Sequence, residues 1–210
     1  MIAIAVFASG RGSNFRALHE ALHDLPDPPA QIALCISNNP NPGAFDYARA
    51  QEIPVRRLSP TMFPDDPDEY ARRLDALLSE YGIDLIVLAG YMRKLPPSIV
   101  ARFRGRILNV HPALLPRFGG PGMYGLNVHR AVLEANSETT GATVHLVDEE
   151  YDTGAIIAAQ TIAVDPAETP EALAERVLAV EHTLLPHVVI DAARRLERGE
   201  PIVPLGTLTL

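Results

Sequence analysis

The chain has one cysteine, Cys35, so it can form no internal disulfide and no cysteine-based zinc site. That economy fits a reducing cytoplasm, and Cys35 within "IALCISN" reads as a small buried apolar residue. Basic residues are also scarce, 18 against 26 acidic, for a net charge of -8. Nonspecific nucleic-acid binding is thereby disfavoured, although a local basic pocket is still allowed. No apolar run approaches the ~20 residues needed to cross a bilayer, so no membrane partner is expected. The N-terminal "MIAIAVFASGRGSN" lacks a basic leader region and reads as a first strand, not a signal peptide. Internal repeats, low-complexity tracts and linker-like stretches are missing as well. One domain over residues 1–210 is therefore the expectation.

What is present is a globular composition, 47% hydrophobic and 21% charged. Apolar runs of strand length alternate with helical periodicity. Strands are expected at 2–9, 32–38, 54–58, 84–90 and 107–111, with helices between them. Strands that are apolar throughout and alternate with helices imply a mostly parallel sheet covered on both faces, an α/β fold. Beyond Pro112 the pattern changes. A glycine-rich stretch, "RFGGPGMYG", precedes a helix, "LNVHRAVLEA". Then "GATVHLVD" and "GAIIAAQTIAV" read as an antiparallel hairpin, followed by a long terminal helix interrupted or entered late near Pro186.

"RILNVHPALLP" is the stretch that asks for an explanation. Asn109 and His111 stand two apart in a buried strand, so both side chains emerge on one face where Pro112 stops it. They are either a pair satisfied by neighbouring backbone or the working groups of a site. "SGRGSN" (Ser9–Asn14) follows a strand and opens a helix, where backbone N–H groups can cradle an anion. Gly10 and Gly12 fit the first two positions of a dinucleotide fingerprint, but Phe15 takes the third glycine's place. Ser13 and Asn14 suit a terminal monophosphate; the plain alternative is a tight turn capped by Ser or Asn. "HEALH" matches H-E-x-x-H, yet the apolar stripe through Leu18 and Leu22 turns His19 and His23 away from the core, so a surface helix is expected. "DEEYDTG" packs four carboxylates into residues 148–152, without calcium-loop spacing; it is a solvated hairpin tip or supplies a partner for His111. His145, taken alone, reads as a hydrogen-bonded core histidine.

Ligands of open parallel sheets bind beyond the C-terminal strand ends, near a topological switch point. The ends of strands 1, 4 and 5 are "SGRGSN", "AGYMRK" and "NVHP". An anion cradle, a basic pair (Arg93 and Lys94) and the Asn/His pair are thus expected on one edge.

Together, "VFASGRGSNFRAL", "DLIVLAGYMRKL", "ILNVHPALLP", "TVHLVDEEYDTGAIIAAQ" and "AVEHTLLP" resemble the folate-dependent phosphoribosylglycinamide formyltransferases, in order along nearly the whole chain. The resemblance implies a Rossmann-like formyltransferase fold and formyl transfer from 10-formyltetrahydrofolate, as cosubstrate, to the amine of glycinamide ribonucleotide in purine biosynthesis. It implies Asn109, His111 and Asp152 as catalytic residues. Gly12, Ser13 and Asn14 would hold the phosphate, Pro112 would touch the nucleotide and Glu181 the ribose. The folate would lie along Met92, Arg93, Lys94 and Leu95 and against Asn109 and Asp148 through Asp152. No metal is implied, and the partners are small molecules, with a monomer or homodimer as the assembly. In this chemistry Asp152 is expected to raise the pKa of His111 and keep it protonated. "FPDDPDEY" lacks the arginine that reaches the folate in part of the family, which leaves Arg93 and Lys94 as substitutes. The glycine-rich loop is longer than in some relatives and reads as a candidate lid. Other readings are a formyltetrahydrofolate hydrolase, a non-catalytic nucleotide-binding module and a zinc hydrolase. A tRNA formyltransferase would need a basic C-terminal domain.

Overall fold

A computed structural model describes residues 1–208, and of Pro67 the backbone alone. Five segments, apolar except for the short third, form parallel strands: β1 (Ile2–Phe7), β2 (Ala30–Ser37), β3 (Val55–Arg57), β4 (Leu85–Leu88) and β5 (Ile107–His111). β6 (Thr139–Leu146) runs antiparallel to β5 and forms a hairpin with β7 (Ile156–Ala163). A two-residue strand, β8 (Gly206–Thr207), absent from the expectations above, pairs with β7. The sheet order is β3-β2-β1-β4-β5-β6-β7-β8. The chain thus reverses its direction of progress between β1 and β4, and the C-terminal ends of β1, β4 and β5 are neighbours.

Alternation along the strands sends side chains to two cores. Ile4, Val6, Leu85, Val87, Leu108 and Val110 join one, with α1 (Ser13–His23), α2 (Gly43–Ala50), α5 (Leu126–Glu134) and α6 (Pro170–Glu197). Ala5, Phe7, Ile86, Leu88 and Ile107 join the other, with α3 (Pro67–Glu80) and α4 (Pro97–Arg102). Asn109 and His111 share the parity of Ile107 and so lie on the α3/α4 face. α4 is only six residues long, and the sheet beyond it is left open as a cleft.

The terminal helix is continuous across Pro186, contrary to the expected interruption. Proline in a helix interior costs ~3 kcal/mol through a lost hydrogen bond and a ring clash. Leu184, Leu185, Val188 and Val189, all at 0% exposure, flank it. Each such burial is worth ~1.5–3 kcal/mol, so packing outweighs the break. Among the described residues no helix is long and apolar enough to cross a membrane.

The hairpin depends on two glycines. A Cβ at Gly141 would lie 1.8 Å from the Gln160 carbonyl oxygen, and one at Gly154 1.9 Å from that of Leu146. Gly141→Ala is expected to lower stability by about 2 kcal/mol or more, the scale of a forced backbone shift. Urea denaturation measures this, and an unchanged midpoint would show that β6 and β7 are not held this closely.

Candidate active site

β5 delivers Asn109 and His111 to the cleft floor, and β6 lies beside it in antiparallel register, with Asn109 opposite His145 and His111 opposite Thr143. The β6–β7 link then brings Asp152 over both histidines. Its Oδ2 lies 3.6 Å from His111 Nδ1 and its Oδ1 3.5 Å from His145 Nε2. Asp152 has a positive φ of 57°, a conformation few non-glycine residues adopt. The Gly120 N–H donates to Asp152 Oδ2 at 2.9 Å, and His111 Nε2–H donates to the Phe118 carbonyl at 2.8 Å. The glycine-rich loop thereby grips both groups. Gly119 sits tight beneath it, since a Cβ there would meet Leu115 Cδ2 at 2.6 Å and Asp152 Cβ at 3.1 Å.

His145 links the amide to the carboxylate. Its Nδ1–H donates to the Leu146 carbonyl at 2.8 Å. Its Nε2 lies 3.0 Å from Asn109 Nδ2 and 3.5 Å from Asp152 Oδ1. The ring thus holds the Asn109 amide in place from one side; alone it looked like an ordinary core histidine, and only the β5–β6 register reveals its partner.

The electrostatics correct one expectation. Burial lowers the pKa of His111, and the opposing push from Asp152 and the Phe118 carbonyl does not overcome it. The imidazole is neutral at rest, not protonated. Burial also opposes ionisation of Asp152, but the His145 hydrogen bond, the charge interaction with His111 and the Gly120 N–H together hold its pKa below the ordinary value.

These groups line a cleft of about 590 Å³ with Leu88, Leu95, Val100, Pro112, Val147 and Asp148. Met92, Arg93 and Lys94 form its exposed rim. Lys94 pairs with Glu150 at 3.4 Å and lies over the Tyr151 ring. The Asp148 side chain organises the link itself, accepting from Thr153 Oγ1 at 2.8 Å and the Glu150 N–H at 3.1 Å. His129 of α5, unremarked in the sequence, also lines the cleft, its pKa lowered by burial and by His111.

A second cavity, about 640 Å³, opens on Gly12, Ser13 and Asn14. Gly12 caps α1 with φ 78° and no side-chain cap, so the alternative of a Ser or Asn cap does not hold. A Cβ on Gly12 would press on Ala44 at 2.7 Å. The first amides of α1 are the groups left for an anion. Met92 N–H donates to Ser9 Oγ at 2.9 Å, tying the turns after β1 and β4 together. The Asn14 amide is not free for a phosphate as expected: Nδ2 donates to buried Glu181 at 2.6 Å. His19 hydrogen-bonds Tyr47 at 2.9 Å on the far side of α1. Among the described residues no cluster of three or more His, Cys, Asp or Glu is placed to hold a metal ion.

An open α/β sheet with an Asn–His–Asp group beside its switch point and the N-terminus of α1 opening on the neighbouring cavity defines a class. The chain belongs to the formyl transferase family, which it matches over residues 2–189. It is 43% identical over 208 residues to "Phosphoribosylglycinamide formyltransferase, chloroplastic" of Arabidopsis thaliana, an alignment covering 96% of this chain and 69% of that protein. It is 37% identical to the human "Trifunctional purine biosynthetic protein adenosine-3", covering 94% of this chain but 19% of that one. Among solved structures, phosphoribosylglycinamide formyltransferase of Brucella melitensis superposes with a TM-score of 0.83 at 37% identity, covering 91% of this chain and 95% of that one.

Glu181 offers a direct check. Burial pushes its carboxyl up to about 7 from an ordinary 4.5, against the Asn14 hydrogen bond. The folded state therefore favours the protonated acid. That contribution is whole below pH 4.5 and is lost as pH rises through about 7. Its size is roughly 3 kcal/mol. Glu181→Gln, which mimics the neutral acid, is expected to be more stable than the parent at pH 8, with the advantage gone at pH 4.5. Urea denaturation at both pH values tests this, and a pH-independent difference would contradict it.

Proposed function

We propose that the protein is a folate-dependent phosphoribosylglycinamide formyltransferase, moving the formyl group of 10-formyltetrahydrofolate onto the amine of glycinamide ribonucleotide. The observation that carries this reading is the meeting of Asn109, His111 and Asp152 in a cleft that adjoins a helix N-terminus. The names of the relatives point the same way.

The larger features suit both small molecules. Leu88, Leu95, Val100 and Val147 give apolar walls for a flat heterocycle, and Arg93 and Lys94 offer cations to its acidic tail. Asn109 and the link from Asp148 to Asp152 bound that region. The α1 amides at Gly12, Ser13 and Asn14 take the phosphate, Glu181 the ribose hydroxyls, and Pro112 borders the nucleotide. When bound, the formyl-folate supplies the electrophilic carbon.

The nucleotide's amine attacks that carbon, and negative charge grows on the formyl oxygen. Asn109, held by His145, offers an amide N–H to this oxygen. His111 is neutral, so its Nδ1 lone pair accepts a proton from the attacking amine. Asp152, ionised 3.6 Å away, stabilises the imidazolium that results. As the tetrahedral intermediate collapses, the bond from the formyl carbon to folate N10 breaks, the imidazolium returns its proton to N10, and tetrahydrofolate leaves with His111 neutral again. These roles use no metal and no covalent enzyme intermediate. We place the reaction in the cytoplasm, in one domain over 1–210, in keeping with the solitary Cys35, whose thiol burial pushes up to about 12.

The test mixes pure protein with 10-formyltetrahydrofolate, with and without glycinamide ribonucleotide, and follows loss of formyl-folate. Nucleotide-dependent turnover is expected; turnover with water alone would assign the hydrolase reading, and binding without turnover the non-catalytic one. Asn109→Ala and His111→Ala should each reduce kcat ~10²-fold, and a loss below about threefold in a folded variant would remove that residue from the mechanism.

A further inference from the structure

Two side chains unused in these roles stand where the two cavities join. Arg11, in the turn after β1, and Tyr124, in the glycine-rich loop, line both cavities, as do Gly90, Met92 and Arg93. Both are exposed, Tyr124 to 57%.

Arg11, like Arg93 beside it, is without the carboxylate partner that many of the other arginines have. Arg16 is held by Glu20, Arg73 by Glu69, Arg102 by Asp75 and Arg176 by Glu168. Among the described residues the Arg11 guanidinium has no carboxylate or other hydrogen-bond partner, and neither has the Tyr124 hydroxyl. An uncommitted cation and an uncommitted O–H donor therefore face a cavity floored by free helix amides. The rest of the surface works against an anion, because the net charge is -8. A local cation at the mouth is what offsets that field.

The loop also has a second attachment. The segment that carries Tyr124 gives the Phe118 carbonyl to His111 and the Gly120 N–H to Asp152. Positive φ angles at Gly120, Gly122 and Gly125 shape the turns between that anchored part and Tyr124. One short loop thus reaches from the reacting groups to the anion cavity.

We propose that Arg11 and Tyr124 clamp the substrate's phosphate from the solvent side, opposite the α1 amides. Arg11 supplies a charge-assisted hydrogen bond and Tyr124 a neutral one. The clamp rests on the formyl-transfer reading and deepens it by naming the groups that select a phosphorylated acceptor.

Steady-state kinetics of Arg11→Gln and Tyr124→Phe, with glycinamide ribonucleotide and with the same acceptor lacking its 5′-phosphate, tests the proposal. Each variant should raise KM for the phosphorylated acceptor about 10-fold, with the loss falling on KM more than on kcat. With the dephosphorylated acceptor the penalty should shrink below about twofold, and Arg11→Lys should recover part of the loss. An unchanged KM, or an equal penalty on both acceptors, overturns the clamp. If the parent protein shows no nucleotide-dependent turnover, the formyl-transfer reading fails by itself. Calorimetry with ribose 5-phosphate then decides the clamp separately: about 10-fold weaker binding by the variants supports it, and equal affinity overturns it.

Discussion

A partly buried carboxylate binds this site together. Asp152 receives a backbone N–H from the glycine-rich loop and faces one histidine on β5 and another on β6. Removing a carboxylate from water costs several kcal/mol unless partners replace the lost solvation. Here contact with His145, the charge interaction with His111 and the Gly120 N–H outweigh the partial desolvation, and the carboxyl stays below its ordinary value. The same contacts draw three chain segments to one point: a strand end, a hairpin link and a loop. The left-handed backbone at Asp152 is tolerated in that setting, because the surroundings over-determine it.

Sheet order supplies the rest. Since β1, β4 and β5 are adjacent, everything that follows them lies at one edge. A hydrogen bond from Met92 to Ser9 joins the first two turns directly. The polar pair on β5 falls on the face that α4 is too short to cover. The antiparallel partner strand brings His145 level with Asn109, which converts a register into an amide orientation. Proximity and chemistry here both follow from strand pairing.

Much of this was legible in the residues. Apolar runs located most of the parallel strands, the i, i+2 rule put Asn109 and His111 on one face, and the strand-end argument gathered loops that the sheet order does make neighbours. What local patterns missed was decided by distant partners. Helix α6 continues through Pro186 because leucines and valines on both sides are buried by other elements. Asn14 is occupied by Glu181, 167 positions away. The protonation of His111 depends on how deeply it is buried, which neighbouring residues do not announce. A carboxylate nearby suggested a charged ring, and desolvation prevailed. The lateral partner of Asn109 required the β5–β6 register, which periodicity alone does not provide.

The crowding around Gly119 divides the glycine-rich loop into unequal parts. With Leu115 on one side and Asp152 on the other, a side chain at position 119 would have to displace Leu115, and residues 118 and 120 are tied to His111 and Asp152. The crown from 121 to 125 lies past that stem and makes neither of those bonds. A change of length there would leave the contacts to His111 and Asp152 in place, whereas one at 118–120 would pull on both.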